Sequence, residues 1–192
     1  MDNISHMTKK LTSQEKLIQA ACDLLVEHGG MDFTIRAVAS LAGVNHGLIH
    51  HYFGGSEGLA VAAVEWYTHG VYSRVRDSLP QTQDRTLLFE HLITQVSQNR
   101  DFAKFLLGVS RLSMHMPLVK AKMAEIASLR RKQFSQVLGL GSFEEMELVQ
   151  ATLLGSLLLS QVDPEIKSDQ ILKSLAKHMD NIELTLNKSS ED

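Results

Sequence analysis

The stretch that decides the fold is residues 34–53, TIRAVASLAGVNHGLIHHYF, in which two short apolar segments flank Gly43. Thr34 is a suitable N-cap for a first short helix, and Asn45 is a suitable N-cap for a second. Between them the chain must turn sharply, and glycine adopts the positive φ of such a turn without steric cost. The spacing of these residues predicts a helix-turn-helix.

The two helices of this motif must cross at a steep angle, which requires a small residue at the crossing point. Ala39 meets that requirement. With Ile49 at the centre of the buried face of the second helix, the helical periodicity turns Gly47 and His51 away from the core. The apolar side chains expected to join the two helices are Val38, Ala42, Val44, Ile49 and Tyr52.

Helical patterns continue on both sides of the motif, and no stretch alternates with the period of two that is typical of strands. A first helix is predicted from Ser13 to His28, ended by Gly29 in a left-handed cap. Ser56 is expected to cap a long helix that runs to Leu79. Five more helices are expected at about 85–98, 101–115, 117–139, 143–162 and 168–187. The chain is therefore expected to be all-α, with about nine helices.

The helices before residue 56 are short and joined by glycine turns, whereas those after it are long. This change predicts a domain boundary at that point. Residues 1–55 would form an N-terminal three-helix domain that contains the helix-turn-helix, and residues 56–192 would form a larger C-terminal helical bundle.

A longer pattern surrounds the motif. It consists of LIQAA at residues 17–21, a glycine at 29, a threonine at 34, GV-x-x-G-x-I-x-x-YF at residues 43–53, and an acid and a leucine at 57 and 59. With this pattern the segment from Leu17 to Leu59 resembles the TetR family of bacterial transcriptional regulators. The rest of the chain is similar to that family only in being all-helical and of suitable length.

The resemblance implies a dimeric DNA-binding regulator, and specifically a repressor that a small-molecule ligand releases from a pseudo-palindromic operator. In similar proteins a ligand in the larger domain pivots the fourth helix and changes the separation of the DNA-reading helices. The exposed Gly47 costs about 1 kcal/mol relative to alanine. We interpret its small size as allowing the helix deep into the major groove, and the alternative is crowding against a neighbouring helix.

Ten residues are expected to contact DNA, either at phosphates or, for His46, Leu48 and His51, at base edges. They are Lys9, Lys10, Thr34, Arg36, Asn45, His46, Gly47, Leu48, His50 and His51. The sequence departs from the family pattern at two positions that commonly touch phosphates. His50 stands where the family usually has tyrosine, and Ser56 stands where it usually has lysine.

The charge balance opposes a simple polyanion-binding surface, because the net charge is −3 and residues 9–58 hold four Lys or Arg against five Asp or Glu. Attraction to phosphates must then depend on placement. Lys9 and Lys10 can form a basic arm, and the helix N-termini at Thr34 and Asn45 favour anions. The histidines at 28, 46, 50 and 51 add charge when protonated, so DNA binding is expected to depend on pH.

A ligand pocket is expected between helices of the larger domain, where bundles commonly place such sites. Aromatic and methionine side chains recur there at helical spacings, and Arg111 on an apolar helix is a possible partner for an acidic ligand, although it can equally reach an internal carboxylate or water. The expected lining is Trp66, Tyr67, Phe89, Phe102, Phe105, Arg111, Met114, His115 and Met123.

The helix at 143–162 is apolar around nearly its whole circumference, so it must be buried on all sides. A second subunit is the simplest cover, and the two-fold dimer would be a four-helix bundle built from the last two helices of each chain. The expected interface residues are Leu148, Ala151, Leu154, Gly155, Leu158, Ile171, Leu175, Met179 and Ile182.

Other functions have less support. His46 and His50 have metal-ligand spacing on one helix face, but no third ligand is apparent, so neither a metal nor another cofactor is expected. No phosphate loop, nucleophile elbow or metal-ligand set suggests an enzyme. No signal peptide or membrane span is visible, and Cys22 has no intramolecular partner, which favours a cytoplasmic protein. The alternatives kept open are a helix-turn-helix protein that acts through protein–protein contacts, and a DNA-binding protein that senses no ligand.

Overall fold

The structure, a computed structural model, describes residues 11–97, 99–138, 143–167, 170, 171, 173–175 and 177. These residues form α1 (Ser13–His28), α2 (Ile35–Ala42), α3 (Gly47–Phe53), α4 (Ser56–Asp77), α5 (Arg85–Ser97), α6 (Arg100–Ser113), α7 (Pro117–Leu138) and α8 (Phe143–Val162). The described residues between 170 and 177 are also helical, within the ninth helix predicted at 168–187, and the rest of that helix lies outside the described residues. The predicted all-α fold is confirmed.

Local capping explains where the first helix begins and ends. The amide of Glu15 donates to Oγ1 of Thr12 at 3.2 Å, and the amide of Thr12 donates to Oε2 of Glu15 at 2.8 Å. This reciprocal capping box satisfies two amides that the helix leaves without intrahelical partners. Gly29, with φ 56°, ends α1 in the left-handed conformation that its type predicted.

The prediction for the start of α4 is wrong. Ser56 is the first residue of the helix rather than its cap, and the preceding position is held by Gly55 at φ 140° and ψ −169°. Few side chains adopt that backbone conformation, so a glycine rather than a serine makes the tight corner between α3 and α4. The helix ends at Asp77, before the predicted Leu79.

Two apolar cores hold the helices together. The first contains buried side chains of α1, α2, α3 and α4, and it also includes Phe105 and Val109 of α6 and Val119 of α7. The second joins α4, α5, α6 and α8 through residues such as Val71, Phe102 and Leu157. The first core therefore crosses the domain boundary predicted between residues 55 and 56, and that boundary stays a prediction.

The backbones of α1 and α6 come close enough that one position tolerates only glycine. A Cβ on Gly108 would lie 2.7 Å from the carbonyl oxygen of Leu25 and 3.2 Å from its Cδ2. On the other side of the contact, a Cβ on Gly30 would lie 2.9 Å from the carbonyl oxygen of Gly108. The N-terminal helices are thus in direct contact with the larger bundle through the packing of α1 on α6.

In the described part of the chain, no helix combines the length and the apolar character needed to cross a membrane.

Candidate nucleic-acid interface

The first half of the helix-turn-helix forms as its local chemistry predicts. Oγ1 of Thr34 accepts a hydrogen bond from the amide of Ala37 at 3.1 Å, which caps α2. Gly43 follows the helix at φ 64°, and the amide of Val44 donates to the carbonyl oxygen of Ala39 at 3.1 Å. The left-handed glycine ends α2 and redirects the chain into the turn that leads to α3.

The start of α3 is fixed by Asn45. Its Oδ1 accepts a hydrogen bond from the amide of Gly47 at 2.8 Å, and its carbonyl oxygen accepts one from the amide of Leu48 at 3.1 Å. His46 already has helical backbone angles and makes no side-chain capping bond. The N-cap position of α3 is thus His46, one residue after the predicted Asn45. The side-chain capping bond itself is nevertheless made by Asn45.

One side of α3 is buried and the other faces solvent. Ile49 is completely buried in the first core, and Val44, Leu48 and Phe53 pack partly against it. The exposed side consists of Asn45, His46, Gly47, His50 and His51. We call these five residues the α3 face. The predicted orientation of Gly47 and His51 away from the core is thus present in the structure.

The prediction that Tyr52 joins the two helices in the core is wrong, because 40% of this side chain is exposed. Its ring contacts His51 edge-on at a centroid distance of 4.9 Å and Phe53 at 6.1 Å. α3 is only seven residues long and packs against α1 and α4 along one side, so a side chain on its flank is left partly uncovered.

Gly47 has open space around it except toward its own cap. A Cβ at this position would lie 3.2 Å from Oδ1 of Asn45, and no other atom outside its immediate chain neighbours comes within 4 Å. Crowding against a neighbouring helix, the alternative explanation of this glycine, is therefore not observed. The bare surface at Gly47 is available to an external molecule.

Sequence reasoning missed one residue that positions α3. Gly58 lies in the first turn of α4, and a Cβ there would overlap the carbonyl oxygen of Phe53. Glycine is unfavourable inside a helix by about 1 kcal/mol, so its presence at this position was the available signal. The end of α3 therefore rests directly on the backbone of α4.

Few fixed charges lie near the α3 face. Arg36 is exposed in the first turn of α2, whereas Lys9 and Lys10 lie outside the described residues. Nδ1 of His28 is 3.2 Å from a carboxylate oxygen of Asp32, so this exposed histidine contacts an acid of its own chain. Among the described residues, no group of three or more His, Cys, Asp or Glu side chains is arranged to hold a metal ion.

The structure does not gather the nine predicted pocket residues at one place. A cavity of about 810 Å³ lies between α1, α4 and α7, and Trp66 and Tyr67 line it. Phe89, Phe102 and Phe105 are buried in the two cores, and Met123 packs partly against the first core. Arg111, Met114 and His115 are exposed at the end of α6, so they surround no cavity in the described part of the chain.

α8 has two apolar sides of different exposure. Met146, Val149 and Leu157 are buried within the chain, whereas Leu148 and Leu159 are each about half exposed. Of the other predicted interface residues, Ala151 and Ile171 are exposed, and Leu154, Gly155, Leu158 and Leu175 are partly buried. A Cβ on Gly155 would meet no atom within 4 Å. Met179 and Ile182 lie outside the described residues.

Comparison with known proteins agrees with this arrangement. The sequence profile of the bacterial regulatory proteins of the tetR family matches residues 17–63, which cover the helix-turn-helix and the start of α4. The HTH-type transcriptional regulator BetI 1 of Chromohalobacter salexigens is 31% identical over 110 residues. That match covers 54% of this chain and 54% of the relative, so the chain spans about half of that regulator's length.

Solved structures show the same fold over most of the chain. A transcriptional regulator from Rhodococcus sp. Rha1 superposes with a TM-score of 0.77 at 21% identity, covering 87% of this chain and 95% of that one. The multidrug binding protein EbrR, in a complex with ethidium, superposes with a TM-score of 0.71 at 18% identity, covering 86% and 98%. Residues 17–63, which contain this helix-turn-helix, are thus similar to the tetR family of bacterial regulatory proteins.

Proposed function

We propose that the protein regulates transcription by inserting α3 into the major groove of an operator. The observation that carries this proposal is the α3 face, which presents polar side chains and Gly47 to solvent. The opposite side of α3 is fixed in the core by the fully buried Ile49. A helix held in this way presents a rigid surface, and the major groove of DNA admits an α-helix. His46 and His51 would contact base edges, and the exposed part of Leu48, which also packs against the first core, would meet a thymine methyl group.

Phosphate contacts would come from the ends of the helices and from Arg36. Oγ1 of Thr34 and Oδ1 of Asn45 each cap a helix whose amide-rich N-terminus attracts anions. Lys9 and Lys10 would add a basic arm. These contacts position the protein on DNA and carry no sequence information of their own.

Two such surfaces are needed for a symmetric operator. The half-exposed leucines of α8 and the open space at Gly155 favour a two-fold dimer through α8 and the helix that follows it. The recognition helices would then lie about 34 Å apart, or a multiple of that distance, on one side of the duplex. The operator is accordingly expected to be pseudo-palindromic.

Release by a small molecule completes the proposed function as a cytoplasmic repressor. EbrR, whose structure contains ethidium, shares the fold of this chain, which supports a ligand-responsive larger domain. Because α4 lines the cavity and also supports the end of α3 at Gly58, a ligand that moves α4 would change the separation of the two α3 faces. Such a ligand favours the conformer that misfits the operator.

The test is selection of bound DNA from a random duplex pool, followed by affinity measurements on the selected site. An inverted repeat with half-sites one helical turn apart, or a multiple of it, is the expected result. His51→Ala is expected to weaken binding to the selected site. The control is His115→Ala, which removes an exposed histidine between α6 and α7 and should leave binding unchanged. Recovery of no enriched sequence would refute DNA reading and favour a role in protein–protein contacts.

A further inference from the structure

The cavity between α1, α4 and α7 has one wall of apolar and aromatic groups. Trp66, Tyr67 and Ile126 contribute to this wall, and Gly70 widens it by lacking a side chain. Tyr67 is fixed in place because its ring stacks on Phe105 at a centroid distance of 4.0 Å. A volume of about 810 Å³ lies within the range of roughly 300–1,000 Å³ typical of small-molecule sites.

Arg130 on α7 lines the same cavity and has unused hydrogen-bonding capacity. Its guanidinium carbon lies 4.0 Å from the centre of the Tyr72 ring, and Nη1 donates to Oε1 of Gln133 at 2.6 Å. Its Nε is buried and has no hydrogen-bond partner in the described structure. A buried donor without a partner is costly, and an unrecorded water or ion is one of its common explanations in native proteins.

No carboxylate neutralises Arg130 within the described ranges, and the same holds for Arg74, which lines the cavity from α4. Burial lowers the pKa of Arg130, and the neighbouring Arg76 acts in the same direction. Arg76 differs from both because its Nη2 lies 2.9 Å from Oδ1 of Asp77. The two arginines are therefore the cavity cations that lack an ion-pair partner among the described residues, and of the two Arg130 is the more buried.

The formal charges of the cavity lining sum to zero, but among the described residues its acids make no ion pair with these two arginines. Nζ of Lys122 lies 2.8 Å from Glu65 and 2.7 Å from Glu125, so these three residues satisfy one another. Asp23 is the other acid of the lining, and burial raises the pKa of its carboxyl group. A guanidinium presents parallel N–H donors that match a carboxylate in two-point contact.

We propose that this cavity binds an amphipathic organic anion, with its carboxylate on Arg130, assisted by Arg74, and its apolar part against Trp66 and Ile126. The inference rests on the proposed function in that it identifies the chemical class of the releasing ligand. It also places the site on the side of α4 that faces α1 and α7, whereas most of the pocket residues predicted from sequence are buried in the cores or lie at the end of α6.

The test uses octanoate, octanol and octylammonium, which share a chain length and differ in charge at neutral pH. Binding is followed by fluorescence of Trp66, the single tryptophan of the chain, with protein free of DNA. Octanoate is expected to bind and change the emission, with octanol weaker and octylammonium weakest. Equal affinity for the three probes, or tighter binding of the ammonium, would overturn the proposal.

The variants separate the role of Arg130 from general charge. Arg130→Gln and Arg74→Gln are each expected to weaken octanoate binding, by about tenfold for Arg130, which corresponds to about 1.4 kcal/mol. Arg76→Gln removes an equal charge nearby, from an arginine that does not line the cavity, and should change affinity less than twofold. Unchanged affinity in both cavity variants refutes the proposal. Because this readout needs no operator, failure of DNA binding would leave its result intact.

Discussion

The amide of Leu118, in the first turn of α7, donates a 2.7 Å hydrogen bond to Oε1 of Glu57, in the first turn of α4. The two residues are 61 positions apart in sequence. One carboxylate therefore serves two helix N-termini, since it also lies in the positive field at the start of its own helix. The hydrogen bond thus links the corner between α3 and α4 to the beginning of α7, one of the three helices that line the cavity.

Removal of this link should destabilise the fold. Glu57→Ala leaves the amide of Leu118 without its partner, and we expect the free energy of unfolding to fall by about 1 kcal/mol. Urea unfolding followed by circular dichroism measures the change. Glu90→Ala, an exposed acid on α5, is the control and should stay within about 0.5 kcal/mol of the parent. A parent-like Glu57 variant would show that the bond contributes nothing in solution.

The close approach of α1 and α6 gives a second stability prediction. Gly108→Ala places a methyl group against the carbonyl oxygen of Leu25, so the helices must separate, at a cost of about 1–3 kcal/mol. Gly70→Ala is the matched control, because its Cβ would make only an ordinary contact with Arg74 and alanine is the better helix former. The Gly108 variant should melt below the parent and the Gly70 variant at or above it. The reverse order would contradict the observed packing.

Dimer formation can be tested on the exposed side of α8. Leu148→Glu places a charge in the proposed interface, where it would be buried without a partner, and should convert the dimer to a monomer. Light scattering during size-exclusion chromatography gives the mass. Leu129→Glu alters a leucine of similar exposure on α7 and should leave the dimer intact. If the parent is itself monomeric, the proposed symmetric operator recognition is wrong.

Operator affinity should depend on pH. At fixed salt we expect binding to be several-fold tighter at about pH 6 than at about pH 8, because protonated histidines on the α3 face add positive charge toward the phosphates. Replacement of His50 and His51 by glutamine should reduce this difference, whereas His115→Gln should not. Filter binding to the selected site at the two pH values is sufficient. Equal parent affinities would remove the hypothesis.

Cys22 predicts how stability changes under alkaline conditions. Burial, assisted by the charge of Asp23, raises the pKa of this thiol to about 12. The thiol of an unfolded chain has a pKa of about 8.5. Above that pH the unfolded state therefore loses a proton that the folded state keeps. The free energy of unfolding should then fall by up to about 1.4 kcal/mol per pH unit from this group.

Comparison with Cys22→Ala isolates this effect. The variant should show a shallower decline of stability between about pH 9 and pH 10.5, whatever its stability at neutral pH. In the parent, the thiol should react with a disulfide reagent only when the chain unfolds, because its sulfur contacts the carbonyl oxygen of Ala63 at 3.6 Å in the interior. Parallel slopes for parent and variant would contradict the raised pKa.

Features set by a few neighbouring residues were predictable from sequence. Thr34, Asn45 and Gly43 act within four residues of themselves, so their capping and turn roles follow from residue type. Ile49 was correctly placed in the core because a seven-residue helix with one apolar centre has one buried side. The prediction for Tyr52 was wrong because helical periodicity gives the direction of a side chain but not whether a neighbouring helix is long enough to cover it.

The cavity was largely missed because its lining depends on which helices are neighbours. Aromatic residues at helical spacing look alike whether they fill a core, as Phe105 does, or line a cavity, as Trp66 does. Arg130 stands in the basic run at 130–132, and such runs usually form solvated helix faces. The Tyr72 ring across from it and the burial of its Nε show that this guanidinium is turned inward.

The first core also limits how the protein can be re-engineered. The packing around α1 is completed by Phe105, Val109 and Val119 of the larger bundle. If residues 1–55 were fused to a different C-terminal domain, they would therefore lose part of their apolar core. A functional chimera would need a junction at a later residue. Otherwise the foreign domain would have to reproduce the close glycine contact between α6 and α1. The front helices and the larger bundle of this molecule are therefore not independent modules.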